Sequence, residues 1–355
     1  FINKRIKFIM AYTTINKSSE HFNPLLYTGN TSNGHEINGL DFQPDFVWIK
    51  SRNQADFSHM LYDVVRASTT AQPFEIRSNL TNTQSTDTSG LVSFDSDGFT
   101  LNSGGYVNTG NFVSWNWKAG GSPSSNTDGS ITSSVSANTT AGFSIVTFTG
   151  TGANATVGHG LGSVPKMIII KGYSNTPNWQ VYHASYGNTG GGQLNLNSAF
   201  SADGMFQNTT PTSSVFSLGT SGNVNGSGQT MVAYCFADVK GFSKFGKYVG
   251  NGNADGTFVY TGFKPAFVLK KNITNAREWN MEDNKRIGYN PNNYGLFPHN
   301  ADTEQTGFHR VNFLSNGFKL KTNSEHWNES GNNFIYMAFA EAPLVGSNNV
   351  PANAR

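Results

Sequence analysis

Pro44-Asp45-Phe46-Val47-Trp48-Ile49-Lys50 decides the fold, because the chain writes it three times. It returns as Pro165-Lys166-Met167-Ile168-Ile169-Ile170-Lys171 and as Pro265-Ala266-Phe267-Val268-Leu269-Lys270-Lys271. Each copy has a proline, a run of large apolar residues and a lysine six positions past the proline. Upstream of each stands an aromatic-Thr/Val-Gly triplet: Tyr27-Thr28-Gly29, Phe148-Thr149-Gly150 and Tyr248-Val249-Gly250. Glycine and proline are 15 residues apart in all three. A fixed register of this kind identifies internal repetition.

Proline has no amide hydrogen to donate, so it suits the first residue of a strand. In the first two copies the following residues are apolar on both alternating faces: Phe46 and Trp48 point one way, Val47 and Ile49 the other. One face belongs in a sandwich core, and the other needs cover from loops or a neighbouring copy. The shared lysine is expected to end the strand by carrying its charge out to solvent.

Further landmarks recur. Ser58-His59-Met60-Leu61-Tyr62-Asp63 matches Asn178-Trp179-Gln180-Val181-Tyr182-His183 and Glu278-Trp279-Asn280-Met281-Glu282-Asp283. A closing strand follows in each copy: Val113-Ser114-Trp115-Asn116-Trp117, Val232-Ala233-Tyr234-Cys235-Phe236 and Ile335-Tyr336-Met337-Ala338-Phe339. Copies of about 95 residues, each built of short strands between Gly, Asn, Ser and Asp turns, predict an all-β protein of three tandem antiparallel β-sandwich, jelly-roll-like domains. The expected boundaries are an N-terminal arm over 1–19, copy 1 over 20–119, a linker over 120–142, copy 2 over 143–238, copy 3 over 239–342 and a tail over 343–355. The linker is expected to let copy 1 swivel, or to add an edge strand from Ser130 to Ser136. Each copy is expected to fold autonomously. The true start is expected at Met10, with residues 1–9 an upstream extension.

Composition narrows the function. Charged residues make up 13% of the chain and the net charge is +2, which gives no argument for a nucleic-acid partner. The 27 Phe, 13 Tyr and 6 Trp exceed what a disordered chain carries. No apolar run approaches the roughly 20 residues of a helical membrane span, and no secretory signal is legible, so membrane insertion is not expected. Cys235, the single cysteine, reads as a small buried hydrophobe. The eight His show no metal-ligand spacing, and no cofactor is expected. Asp95-Ser96-Asp97-Gly98 lacks the ligands that complete a calcium loop and reads as a turn. Asp63 and Arg66 recur as Asp283 and Arg286 and become His183 and Tyr186 in copy 2, the behaviour of a loop-ordering ion pair rather than of catalytic groups.

The remaining candidates are aromatic. Trp179, Tyr182, Trp279 and Trp327 lie in or beside polar segments, where an indole face could stack on a sugar and neighbouring amides and carboxylates could take its hydroxyls. The competing reading of Trp179 and Trp279 is core.

Met10-Ala11-Tyr12-Thr13-Thr14-Ile15-Asn16-Lys17-Ser18, and Tyr27-Thr28-Gly29-Asn30 running into Phe42-Gln43-Pro44-Asp45-Phe46-Val47-Trp48-Ile49-Lys50, resemble a family of virion structural proteins from marine tailed bacteriophages. Asp128-Gly129-Ser130-Ile131, Ala141-Gly142-Phe143-Ser144-Ile145-Val146 and Ala340-Glu341-Ala342-Pro343 are similar to it too. The resemblance runs from Met10 to Arg355. It implies a place on the particle surface, in a tail fibre, an appendage or a head decoration, and it carries over no catalytic residue. The expected protein is therefore a non-enzymatic virion component made in the host cytoplasm, with other virion proteins as partners. The alternative is a host adhesin that binds surface glycan through exposed loop aromatics. Both apolar faces of the organising strands further suggest a homo-oligomer, a trimer by preference.

Overall fold

The computed structural model describes residues 12–66, 73–348 and 350–351, with the side chains of 308–310 left aside. The extension over 1–9, the proposed start at Met10 and the tail end over 352–355 lie outside the described residues.

The protein is all-β, as its rhythm predicts. Each copy builds its main sheet in one order, with the closing strand beside the organising strand. In copy 1 the order is Phe22–Asn30, Thr109–Trp117, Phe46–Ser51, Met60–Asp63. Copy 2 repeats it with Phe143–Thr149, Thr230–Phe236, Met167–Gly172 and Gln180–His183. Copy 3 does so with Ser243–Val249, Asn333–Pro343, Phe263–Asn272 and Trp279–Asp283. A smaller antiparallel sheet covers one face of each: His35–Asn38 with Gly98–Leu101 and Leu91–Asp95, Ala155–Gly158 with Val215–Leu218, and Phe258–Tyr260 with Gly317–Leu320, Gln305–Leu314 and Asn292–Gly295. The expected linker is structured. Ser133–Asn138 pairs with Phe143–Thr149, and Ser124–Asn126 pairs with it in turn, so the segment extends the sheet of copy 2.

The alternation of the organising strands divides the cores. Val47 and Ile49 join Phe99 and Leu101 in the private core of copy 1. Ile168 and Ile170 join Phe216 and Leu218 in copy 2. Val268 joins Phe318 and Leu320 in copy 3. The opposite faces, carrying Phe46 and Trp48, Met167 and Ile169, and Phe267 and Leu269, meet in one core shared by all three copies. Rings cross the seams there: Phe46 stacks on Tyr234 at 4.4 Å, and Phe22 on Phe339 at 4.8 Å. The second apolar face is thus covered by the other copies of the same chain. The surplus that suggested a trimer is buried internally, in the core that the three copies share.

Backbone hydrogen bonds follow the same cycle. Gln84 N–H of copy 1 donates to Tyr173 O of copy 2 (2.9 Å), Phe200 of copy 2 to Ile273 of copy 3 (3.2 Å), and Glu304 of copy 3 to Arg52 of copy 1 (2.8 Å). Each acceptor stands two residues past the repeated lysine. The expected N-terminal arm joins this body, since Ile15 is buried in the shared core and Asn16 and Ser347 exchange hydrogen bonds.

The glycine of each aromatic-x-Gly triplet has a steric cause. A one-turn helix ends in a buried asparagine in every copy, Asn108, Asn225 and Asn328. Its backbone lies so close to Gly29, Gly150 and Gly250 that an added Cβ would meet it at 2.1, 2.4 and 2.2 Å respectively, counting the residue that follows the asparagine in the last two. The asparagine side chain closes the contact. Its Oδ1 accepts from the amide following the glycine (Asn30, Thr151, Asn251; 3.0, 2.8 and 3.0 Å), and its Nδ2 donates to two backbone carbonyls.

A copy cut from the chain would expose Phe46, Trp48, Trp115 and Trp117 to water. Residues 12–119 expressed alone are therefore expected to self-associate or precipitate rather than give a monomer. A monodisperse, cooperatively melting monomer in sedimentation and circular dichroism would contradict the shared core.

Candidate functional site

The repeated polar residues serve the ring. Lys50, Lys171 and Lys271 do not reach solvent; all three are fully buried. Their aliphatic stems lie along the seam, and each Nζ donates to the carbonyl of the next residue and to a loop of the preceding copy in the cycle. Lys171 bonds Gly172 O (2.7 Å) and Thr81 O of copy 1 (2.9 Å). Lys271 bonds Asn272 O (2.8 Å) and Asn197 O of copy 2 (3.0 Å). Lys50 bonds Ser51 O (3.0 Å) and Ala301 O of copy 3 (3.2 Å). The gripped carbonyl lies three residues before the seam amide in every case. Burial pulls the ammonium of Lys50 down to about 8 and those of Lys171 and Lys271 to about 7.

The Asp–Arg pairs order their loops, as expected, and also cross the seams. Asp63 Oδ1 accepts from the amides of Val65 and Arg66, while Oδ2 takes Arg66 Nε (2.6 Å) and the Tyr234 hydroxyl of copy 2 (2.7 Å). Asp283 does the same with Arg286 (2.6 Å) and the Trp115 indole of copy 1 (3.1 Å). At the third seam the neighbour is Met337, which has no donor, and copy 2 presents His183 instead. Burial lowers the His183 imidazole to about 4. The neutral ring fits its partners: Nδ1 accepts from Ser185 N (3.1 Å) and Nε2 faces Tyr336 O of copy 3 (3.2 Å).

None of the four sugar-contact candidates offers a ring face to solvent. Trp179 is 0% exposed and donates to Arg77 O and Leu80 O of copy 1 (2.9 and 3.2 Å). Trp279, 1% exposed, donates to Gln193 O of copy 2 (2.8 Å). His59 takes their place in copy 1, accepting from Trp48 Nε1 at 2.9 Å. Tyr182 packs on Phe206 in the private core of copy 2. The polar residues beside Trp179 brace its loop: Asn195 Oδ1 accepts from Trp179 N, and its Nδ2 donates to Asn178. Core is the correct reading of these residues. Cys235 is buried as expected, and burial raises its thiol pKa. Asp97 holds its turn by accepting from the amides of Gly39 and Asp41.

Trp327 is also buried, stacked against Phe297 at 6.3 Å with the Lys270 ammonium 5.2 Å from its ring centre. It nevertheless borders a cleft of ≈ 270 Å³ shaped by Glu278, Asn300, Asp302, Ser324 and His326. His326 is paired with Glu278, Asn300 with Asp302, and Ser324 Oγ accepts from His326 N as a helix cap. The cleft belongs to copy 3. In copy 1 the position of His326 is Tyr106, which packs on Phe57 at 5.1 Å beneath the Arg77 guanidinium. Beneath Trp327, Lys270 and Glu282 form a buried pair joined by Asn280, where copy 1 has Ile49, Tyr62 and Met60. The sequence places His326 beside Trp327 but gives no sign of Glu278, Asn300 and Asp302, which come from two distant segments. Among the described residues, no group of three His, Cys, Asp or Glu is placed to hold a metal ion, and no helix is long and apolar enough to cross a membrane.

Residues 17–343 match a domain of unknown function (DUF7483), and the chain belongs to that family. Comparison with curated proteins and with solved structures gives no match.

Lys171→Met should cost about 2–3 kcal/mol in urea denaturation, because it strands buried carbonyls across a seam. The lysines also set a pH slope. An unfolded lysine keeps its proton to about 10.5, whereas the folded ones release theirs near 7 to 8. The unfolded state binds more protons between these values, so stability should rise with pH from about 7 toward 10.5. Thermal melts from pH 7 to 9.5 should show that rise, with a shallower slope in Lys171→Met; a fall across the window contradicts it.

Proposed function

We propose that this DUF7483 member is a non-enzymatic structural protein of a tailed-bacteriophage virion surface, in a fibre, a tail appendage or a head decoration, where it contributes to host attachment. The observation that carries the reading is the use made of the repeated charged groups. Lys50, Lys171 and Lys271, with Asp63–Arg66 and Asp283–Arg286, are buried at the seams and bonded to neighbouring copies. These costly groups stand where they close a ring of sandwiches, as an architectural protein requires. The sequence resemblance from Met10 to Arg355 supplies the location. In this reading the partners are other virion proteins, which meet the outward sheets.

Density-gradient-purified particles analysed by mass spectrometry should contain the chain in stoichiometric amount, and antibody against it should label the particle surface in electron micrographs. A chain found in infected-cell extract but absent from purified particles would overturn the reading.

A further inference from the structure

The small outer sheets offer a comparison that the repeat itself controls. In each copy one edge strand points its central residue inward, Ile37, Val157 or Val259, against Phe99, Phe216 or Phe318. The flanking residues therefore point outward. In copy 1 these are Glu36 and Asn38, both exposed; in copy 2 they are Thr156, half-buried and bonded to Ser130, and Gly158, buried beneath Asn126. In copy 3 they are Phe258 and Tyr260, which remain 44% and 55% exposed. The architecture asks for no aromatic there, since copy 1 closes the same sheet with polar residues and copy 2 covers these positions with residues 126–131.

Register places polar groups beside these rings. Phe258 is directly opposite Lys319, which is directly opposite Asn312, so the three form one row across the outer face. Tyr260 is opposite Gly317, which lies tight against the Val259 carbonyl. Asp255 is fixed by both Lys319 and Lys321, at 2.9 and 2.8 Å. Asp255, Lys321 and Asn312 line an open groove of ≈ 510 Å³ that continues to Asn290 and Pro291.

We infer that this outer face of copy 3 is a binding site for a neutral hexose oligosaccharide, with Phe258 and Tyr260 as stacking platforms. The apolar faces of pyranose rings would cover the two aromatics, and Asp255, Lys319, Lys321 and Asn312 would bond the hydroxyls. Pairing with Asp255 offsets one of the two lysine charges and holds these donors and acceptors in place. Two rings fall far short of the roughly 800 Å² per partner that a stable protein interface buries, yet they match one or two sugar units. The inference rests on the proposed attachment role, and it replaces the buried tryptophans with residues that solvent reaches.

The test is an array of neutral gluco-, galacto- and manno-oligosaccharides of α and β linkage, with uronic and sulfated oligomers beside them, followed by titration of the best ligand. The purified chain should retain at least one neutral oligosaccharide. Phe258→Glu with Tyr260→Asn, which gives copy 3 the outward residues of copy 1, should weaken it by at least about tenfold. Both positions are exposed, so the melting temperature should be unchanged, and Tyr260→Asn alone provides a milder variant. No neutral ligand on the array, unchanged affinity in the variants, or binding confined to acidic oligomers and lost on Lys319→Ala would each overturn the site. Those outcomes leave the particle location standing, and a chain that binds sugar but is missing from particles would overturn only the location.

Discussion

Closure of the ring depends on a lysine amino group bound to backbone carbonyls at every seam. Lysine suits the position because four methylenes can lie along an apolar seam while one compact head serves several acceptors. Among the described residues, Lys50, Lys171 and Lys271 bond to backbone carbonyls and to no carboxylate. Burying an ammonium this way costs desolvation, and the return is specificity of register. The gripped loop must place one carbonyl at the head and, three residues later, one amide on the organising strand. A slip by one residue would break both contacts.

The seams also show what a repeat can change. Where the neighbour offers a hydroxyl or an indole N–H, as Tyr234 and Trp115 do, an Asp–Arg pair faces it. Where the neighbour is Met337, an Asp there would face no donor, and the chain uses a neutral histidine that reaches the Tyr336 carbonyl instead. Variation at these positions is compensated across the seam. The changes in copy 3 are of another kind. Lys270 and Glu282 replace apolar groups in a private core, His326 and Glu278 open a cleft beside Trp327, and Phe258 and Tyr260 turn outward. None of these closes the ring, which makes copy 3 the one that carries individual surface chemistry.

The sequence by itself determined the threefold repetition, the β class and the alternation that separates Phe46 and Trp48 from Val47 and Ile49. It did so because strand periodicity and fixed spacing are local. It also showed that a second apolar face needed cover. Only the tertiary structure decided what supplied it, since the shared core joins residues from all three copies. The same distance explains the misread residues. A lysine at the end of a strand looks like an exit to solvent until Thr81 O is found 90 residues away. A tryptophan among asparagines looks like a sugar platform until its indole meets Arg77 O, 102 residues away. Hydrogen-bond partners so remote leave no trace in local pattern, and so burial of polar and aromatic side chains was settled by the ring and not by the stretch that encodes them.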